Sequence, residues 1–286
     1  MNLLAIETST DACSVALAIG DDVRVDHRVE PRRHARLVLP MIDGLLAEAG
    51  LPRGALDGIA FGRGPGSFTG VRIAASVTQG IALGLGIGVV GVSTLAAIAE
   101  GCRRELGDAS VGVALDARLD EIYWGAFRTV DGLMRAVTEE RVCAAGTTTL
   151  DDGATVDRPT VAGTPAAVAI AGEAIAEGAR AGEATSVGTA GTDHDIVHRL
   201  AGPGAERYAD ILCATLGLSG ADVIRHGRLP HARDTLALAR FAIAATGLAD
   251  PESAVPVYLR ERVALTEEER GVARPPEPPP TVMPPG

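Results

Sequence analysis

Short apolar runs near the amino terminus are separated by small polar residues. Residues 3–6 and 12–19 are apolar, and residues 8–11 between them are Thr, Ser, Thr and Asp. Small hydroxyl and aspartate side chains favour tight turns because they hydrogen-bond to nearby backbone groups. The pattern therefore predicts two antiparallel strands joined by a tight turn. The alternating residues 23–29 predict a third strand.

Helical periodicity follows this third strand. Residues 34–49 carry apolar side chains at intervals of three and four, which predicts an amphipathic helix, and Gly50 ends it. The elements predicted next are a strand at 59–61, a helix over 71–85, a strand at 88–92, and a helix that starts at Ser93 or Thr94 and ends near residue 106.

The opening pattern recurs in the second half of the chain. Apolar residues 111–115 end at Asp116, and residues 121–127 alternate again after a short turn. This repetition predicts an α/β protein with two similar lobes, each a mixed sheet flanked by helices. The further elements predicted in this half are a strand at 133–142 and helices over 205–216 and 232–246.

Composition changes along the chain set the predicted limits of the lobes. The first lobe comprises residues 1–106 and a returning helix within 230–263, and the second lobe comprises residues 107–229. Residues 147–198 are rich in Thr, Ala and Gly and are predicted to be a loosely ordered insertion. Residues 271–286 are rich in proline and are predicted to be a disordered tail.

The composition excludes several classes of site. All 26 basic residues are arginine, so the chain lacks the lysine that a P-loop or a Schiff base requires. The net charge of −11 argues against direct binding along a nucleic-acid backbone. The four cysteines are widely spaced, which does not support a zinc ribbon or a redox dithiol. The absence of a basic, then apolar, leader pattern argues against a signal peptide. The longest stretch rich in Gly, Ala and Val, residues 80–92, is too short to span a bilayer, so the chain is predicted to be cytoplasmic.

The most distinctive motif is the glycine-rich loop at residues 62–72, which leads into the second predicted helix. In one interpretation, Gly64, Gly66 and Ser67 bind an anion or phosphate at the positive end of the helix dipole. In the other, the glycines only allow tight packing of a structural crossover. A glycine loop without lysine is a weak phosphate signal, so the residue chemistry alone favours the crossover.

Two acidic positions at equivalent strand ends form a second candidate site. Glu7 precedes Thr8 and Ser9, and Asp116 ends the corresponding strand of the second lobe. If both strand ends flank a cleft, these residues could bind a magnesium–nucleotide. The alternative is that both acids only cap their turns.

A third candidate is the pair His194 and His198, whose spacing of four places both rings on one face of a helix. Such a pair can bind zinc, but a zinc peptidase of this pattern needs a glutamate directly after the first histidine. Asp195 occupies that position. We therefore predict no metal site.

The two helices predicted at about 34–49 and 70–86 carry more apolar and small residues than one buried face requires. A helix of this kind can pack on two sides, so the pair predicts a dimer face, with packing in the core alone as the alternative. The predicted interface residues are His34, Leu37, Val38, Met41, Leu45, Phe68, Val71, Arg72, Ala74, Ala75, Val77, Thr78 and Ile81.

Several of these motifs together resemble those of one protein family. The segments that carry the resemblance are residues 6–10 and 13–17, the first helix with His34, the loop at 62–72, residues 116–118 with Glu121, Tyr123 and Trp124, residues 202–205, and residues 256–260. They resemble the TsaB (YeaZ) family over about residues 1–146 and 200–263. The loop is the most specific of these matches.

This resemblance implies an actin-like, Hsp70-type (ribonuclease H-like) fold and the role of a noncatalytic scaffold subunit. Its partners would be a TsaD-like catalytic subunit, which transfers a threonylcarbamoyl group to adenosine 37 of tRNA, and a TsaE-like ATPase. The tRNA would be contacted only through the complex. The resemblance implies no intrinsic cofactor, although ATP or ADP could bind at the complex interface, and the isolated chain could form a homodimer.

The resemblance also separates the scaffold from the catalyst. TsaD proteins carry a His-x-x-x-His metal site after the strand that follows the loop, and the matching positions here are Thr94 and Ile98. An isoleucine side chain cannot bind a metal ion. The alternatives left open are a metallopeptidase-like (glycoprotease-type) hydrolase and a small-molecule kinase of the same fold.

Overall fold

The computed structural model describes residues 1–108, 110–148, 197–224 and 228–260. The predicted tail, His194 and all but a few residues of the predicted insertion lie outside these ranges.

The first lobe is built on a five-stranded sheet. Its strands are β1 (Asn2–Glu7), β2 (Ala12–Ile19), β3 (Asp22–Val29), β4 (Gly58–Gly64) and β5 (Gly88–Ser93). They lie in the order β3-β2-β1-β4-β5. Strands β1, β2 and β3 pair antiparallel, which confirms the predicted hairpin. Strand β4 pairs parallel with β1 and with β5.

Helices cover both faces of this sheet. They are α1 (His34–Ala49), α2 (Phe68–Leu85) and α6 (Ala232–Thr246). Side chains alternate along β1, so Leu4 and Ile6 pack with α1 and α2, whereas Leu3 and Ala5 pack with α6. The chain thus returns to the first sheet at its carboxyl end, and α1 and α2 are neighbours on one face.

The second lobe contains a second sheet. Its elements are β6 (Ser110–Arg118), β7 (Glu121–Val130), β8 (Leu133–Ala136), β9 (Arg141–Ala144), β10 (Arg199–Ala201), α4 (Pro203–Arg207) and α5 (Ala209–Leu216). Strands β10, β6, β7 and β8 lie side by side in this order, and β9 also pairs with β7. Helix α3 (Thr94–Leu106) packs Leu95, Ile98 and Cys102 into the core of this sheet, although the sequence grouped it with the first lobe.

Two predicted elements of the second lobe are corrected, and one element was not predicted. The single strand predicted at 133–142 is two strands, because Val137 and Thr138 bond to Ala126 and turn the chain between them. The single helix predicted at 205–216 is two helices, which meet at Tyr208. Strand β10 was missed because three residues show no periodicity.

Among the described residues, one helix is long and apolar enough to cross a membrane by length and composition alone. This helix is α2, and 33% of its 18 residues are buried in the protein. Core helices of soluble proteins meet the same criterion. Phe68 and Leu83 of α2 are exposed, so part of its apolar surface lies outside the core.

Candidate functional site

The glycine loop packs directly against the turn between β1 and β2. The Ser67 N–H donates to the Ser9 carbonyl at 2.7 Å, and the Thr8 hydroxyl donates to the Gly70 carbonyl at 2.7 Å. A Cβ atom on Gly66 would lie 2.3 Å from the Ser9 carbonyl oxygen. The glycines therefore allow two backbone segments to approach more closely than any side chain would permit.

This packing bears on the predicted anion site. Ser9 is fully buried, and its hydroxyl accepts a hydrogen bond from the Thr94 hydroxyl at 2.9 Å. Ser67 caps α2 by accepting from the Gly70 N–H at 3.5 Å. Thr8 and Ser9 of the second candidate site thus contact the glycine loop of the first candidate site directly. The geometry favours the structural crossover, and anion binding stays a prediction.

Asp116 caps its own turn in the second lobe. Its carboxylate accepts from the Arg118 backbone N–H at 2.9 Å and from the Arg207 guanidinium at 3.2 Å. Both donors belong to the second lobe. This arrangement matches the turn-capping alternative, and a nucleotide bridging Asp116 and Ser9 stays a prediction.

Glu7 occupies an unusual environment at the end of β1. The side chain is fully buried, and its Oε1 accepts from the Ser9 N–H at 2.8 Å. Its Oε2 has no hydrogen-bond partner among the described residues and faces Gly62, where a Cβ atom would lie 2.0 Å away. Burial disfavours the charged form and raises the pKa of Glu7 to about 7, against the opposing effect of the hydrogen bond from Ser9.

An apolar groove runs between α1 and α2 on the outer side of the first lobe. Its volume is about 320 Å³. The groove is lined by Ala35, Val38, Leu39, Phe68, Thr69, Arg72, Ile73, Ser76 and Val77. Leu39 and Phe68 are exposed, with 49% of the Leu39 surface accessible. Exposed apolar residues gathered in this way mark binding surfaces more often than scattered ones do.

Most of the predicted interface residues support this groove from beneath. The apolar stripe of α1 packs against the sheet, so its residues are buried in the protein's own core. The His34 ring is hydrogen-bonded to the Ala12 carbonyl. Those buried are His34, Leu37, Val38, Met41, Leu45, Val71, Ala74, Ala75 and Thr78. Phe68 is exposed, whereas Arg72, Val77 and Ile81 are partly exposed. Their role as partner contacts stays a prediction.

The sequence analysis missed the residues that complete the surface. Leu39 lies off the buried stripe of α1, and its apolar character at an outward position was the available signal. Tyr258 is distant in sequence but lies beside α2. The Arg72 guanidinium carbon is 3.3 Å from the centre of the Phe68 ring and 4.9 Å from that of Tyr258. The arginine therefore lies against two exposed aromatic rings.

No group of three or more histidine, cysteine, aspartate or glutamate side chains is placed to hold a metal ion within the described ranges. Thr94 and Ile98, the positions that the sequence resemblance matched to the metal ligands of TsaD proteins, are both buried. The Thr94 hydroxyl donates to Ser9, and Ile98 packs in the core of the second lobe.

Comparisons with known proteins extend over most of this architecture. The family model described as "TsaD: tRNA N6-adenosine threonylcarbamoyltransferase" matches residues 28–203. The TsaB protein of Escherichia coli is 42% identical over 143 residues, which cover 50% of this chain and 62% of the relative. The TsaB protein of Haemophilus influenzae is 44% identical over 124 residues, which cover 43% of this chain and 52% of the relative. The matched segments thus span about half to three fifths of these relatives.

Two solved structures from Pseudomonas aeruginosa match nearly the whole chain. One, described as an uncharacterized protein with similarity to peptidase YeaZ, is 36% identical with a TM-score of 0.70 and covers 91% of this chain and 99% of that one. The other, YeaZ itself, is 36% identical with a TM-score of 0.66 and covers 90% and 99%. The predicted actin-like α/β fold is confirmed.

Proposed function

This chain belongs to the TsaB (YeaZ) family, and on that premise we propose that it is a cytoplasmic, noncatalytic subunit of a tRNA-modifying complex. The complex transfers a threonylcarbamoyl group to adenosine 37 of tRNA. In this proposal, a TsaD-like catalytic subunit binds the groove between α1 and α2. A TsaE-like ATPase joins the complex, ATP or ADP binds only at the complex interface, and tRNA is contacted through the partners.

The observation that carries this proposal is the groove itself. Two neighbouring helices present Leu39, Phe68 and Val77 to the outside while their other faces hold the sheet. A partner that offers two helices can pack against such a platform by inserting apolar side chains into the groove. The aromatic rings and the arginine at its end are the residue types that dominate binding energy at interfaces.

The residues at Thr94 and Ile98 support a scaffold over a catalyst. A TsaD-like metal-dependent enzyme would need metal ligands at these two positions, and here both side chains are engaged in the protein core. We expect the isolated chain to bind no stoichiometric zinc or iron and to turn over neither peptides nor ATP with a small sugar. Zinc that is lost in a His194→Ala variant would instead support the metallopeptidase alternative.

Charged substitutions in the groove test the proposed partner. Leu39→Arg and Val77→Arg place a cation in the apolar surface, and each should weaken the Kd for the TsaD-like subunit roughly 30-fold or more, which corresponds to about 2 kcal/mol. The purified full chain and the catalytic subunit of the same organism are titrated by calorimetry. Loss of modified adenosine 37 in the reconstituted reaction should follow the loss of binding.

Two matched variants separate binding from folding. Leu106 is exposed at the end of α3, away from the groove, so Leu106→Arg should bind as the parent chain does. Met41 is buried beneath the groove, so Met41→Arg should unfold the protein rather than report on binding. If both groove variants keep the parent Tm and the parent Kd, the groove is not the partner surface. Light scattering of the isolated chain shows whether it also forms a homodimer.

A further inference from the structure

The segment Val255–Arg260 crosses from the first lobe to the second. The Val257 N–H donates to the Arg63 carbonyl at 2.8 Å, at the start of the glycine loop. Tyr258 then lies against Arg72 of α2. The Arg260 guanidinium donates to the Ala117 carbonyl at 3.0 Å, to the Arg118 carbonyl at 3.3 Å and to the Glu121 carboxylate. This strap thus ties the groove end of α2 to the turn between β6 and β7.

The turn held by Arg260 has an uncommon backbone. Arg118, Leu119 and Asp120 have φ values of 66°, 54° and 59°, a left-handed conformation that disfavours side chains other than glycine, asparagine and aspartate. Such strain persists only where the surroundings impose it, and it concentrates at functional positions. Leu119 is 70% exposed, the highest value among the large apolar residues within the described ranges.

The size of the groove indicates that a partner must reach beyond it. The groove is lined by nine residues, whereas a stable interface takes roughly 20–30 residues from each side. Tyr258 extends the apolar surface from Phe68, and the strap leads from there to the turn. Beyond Tyr258, the strap reaches the turn through Arg260, and Leu119 of that turn is the next exposed large apolar side chain.

We propose that the turn between β6 and β7, with Leu119 at its tip, is a second contact for the TsaD-like subunit, and that Arg260 is the positioning residue that holds it. This inference rests on the proposed function because it takes the same partner. The groove and the turn then form one surface whose two parts belong to different lobes. The strap fixes the distance between these parts before the partner binds.

A charge at the tip of the turn tests this contact. Leu119→Arg should weaken the Kd for the TsaD-like subunit at least 10-fold and leave the Tm unchanged, because the side chain is exposed. Val130, which is 39% exposed, lies at the opposite end of β7, a strand of ten residues, so it is roughly 30 Å away. Val130→Arg is the matched control and should keep the parent Kd.

The role of Arg260 is tested by coupling. Arg260→Met should speed hydrogen exchange of the turn amides at 118–121 and weaken the Kd, and the double variant Leu119→Arg/Arg260→Met should bind within about 2-fold of Leu119→Arg. If the fold-changes in Kd of the two single variants instead multiply in the double variant, the positioning role of Arg260 is overturned. A parent-like Kd for Leu119→Arg beside weak binding of Leu39→Arg would overturn this inference alone. Parent-like binding of both would overturn the proposed function as well.

Discussion

Replacing Gly70 by alanine should lower the free energy of unfolding by about 3 kcal/mol or more, whereas the same replacement at Gly80 should raise it by about 1 kcal/mol. Both glycines lie in α2. A Cβ atom on Gly70 would be 2.0 Å from the Thr8 carbonyl oxygen, and nothing lies within 4 Å of one on Gly80. Only the Gly80 substitution is therefore free to express the higher helix propensity of alanine.

The neighbours of Gly70 cannot move aside cheaply. The atom in the way belongs to the backbone, and the Thr8 hydroxyl also bonds to the Gly70 carbonyl, so the two segments are held together at the same residues. A shift would break this bond and the neighbouring bond from the Ser67 N–H to the Ser9 carbonyl. Because Thr8 and Ser9 are fully buried, water could not replace the lost hydrogen-bond partners.

Urea denaturation of the two variants measures the difference. If the two variants share one m-value and their urea midpoints shift in opposite directions, the result agrees with the close approach of the Thr8 and Gly70 backbones. If Gly70→Ala is as stable as the parent chain, the glycine loop does not pack against the turn as described. The predicted anion site between the loop and the turn would then be favoured again.

The helices of the first lobe could be predicted well because their signals are local. Helix α1 has the predicted bounds, since its apolar stripe faces the sheet and Gly50 ends it with a φ of 63°. By contrast, the break between β8 and β9 depends on bonds to Ala126, a residue more than ten positions away. No local pattern carries such information, because residues 133–142 are compatible with one continuous strand.

The candidate site was predictable only in part, for a similar reason. The glycine loop and the segment that begins at Glu7 are each a short continuous stretch of sequence, so both motifs were found. Which residues of α1 and α2 remain on the outer surface depends on which helix faces pack against the sheet. On α1, the face that packs there is the regular apolar stripe that includes Met41. Tyr258 joins Phe68 across about 190 positions of sequence, so its place beside α2 could not be inferred from spacing.

The parent chain should become less stable as the pH rises, and replacing Glu7 by glutamine should abolish this loss of stability. The pKa of Glu7 is raised from 4.5 to about 7 in the folded protein. Between these values the folded state binds a proton that the unfolded state has released, so the free energy of unfolding falls with rising pH and becomes level above about pH 7. The total contribution is about 3 kcal/mol.

The glutamine variant keeps the shape of the buried side chain and the acceptor for the Ser9 N–H but cannot ionise. Its free energy of unfolding relative to the parent chain should therefore increase by about 3 kcal/mol between pH 4.5 and pH 8. The comparison at pH 4.5 serves as the internal control, because Glu7 is then neutral in the folded protein and every other carboxyl is common to both chains. Parallel curves across this range would mean that Glu7 stays ionised in the fold and that its Oε2 has a cation or donor partner. A difference that opens above about pH 4.5 and levels off near pH 7 would show instead that the Glu7 carboxyl group, at the strand end beside the glycine loop, keeps its proton well above its ordinary pKa.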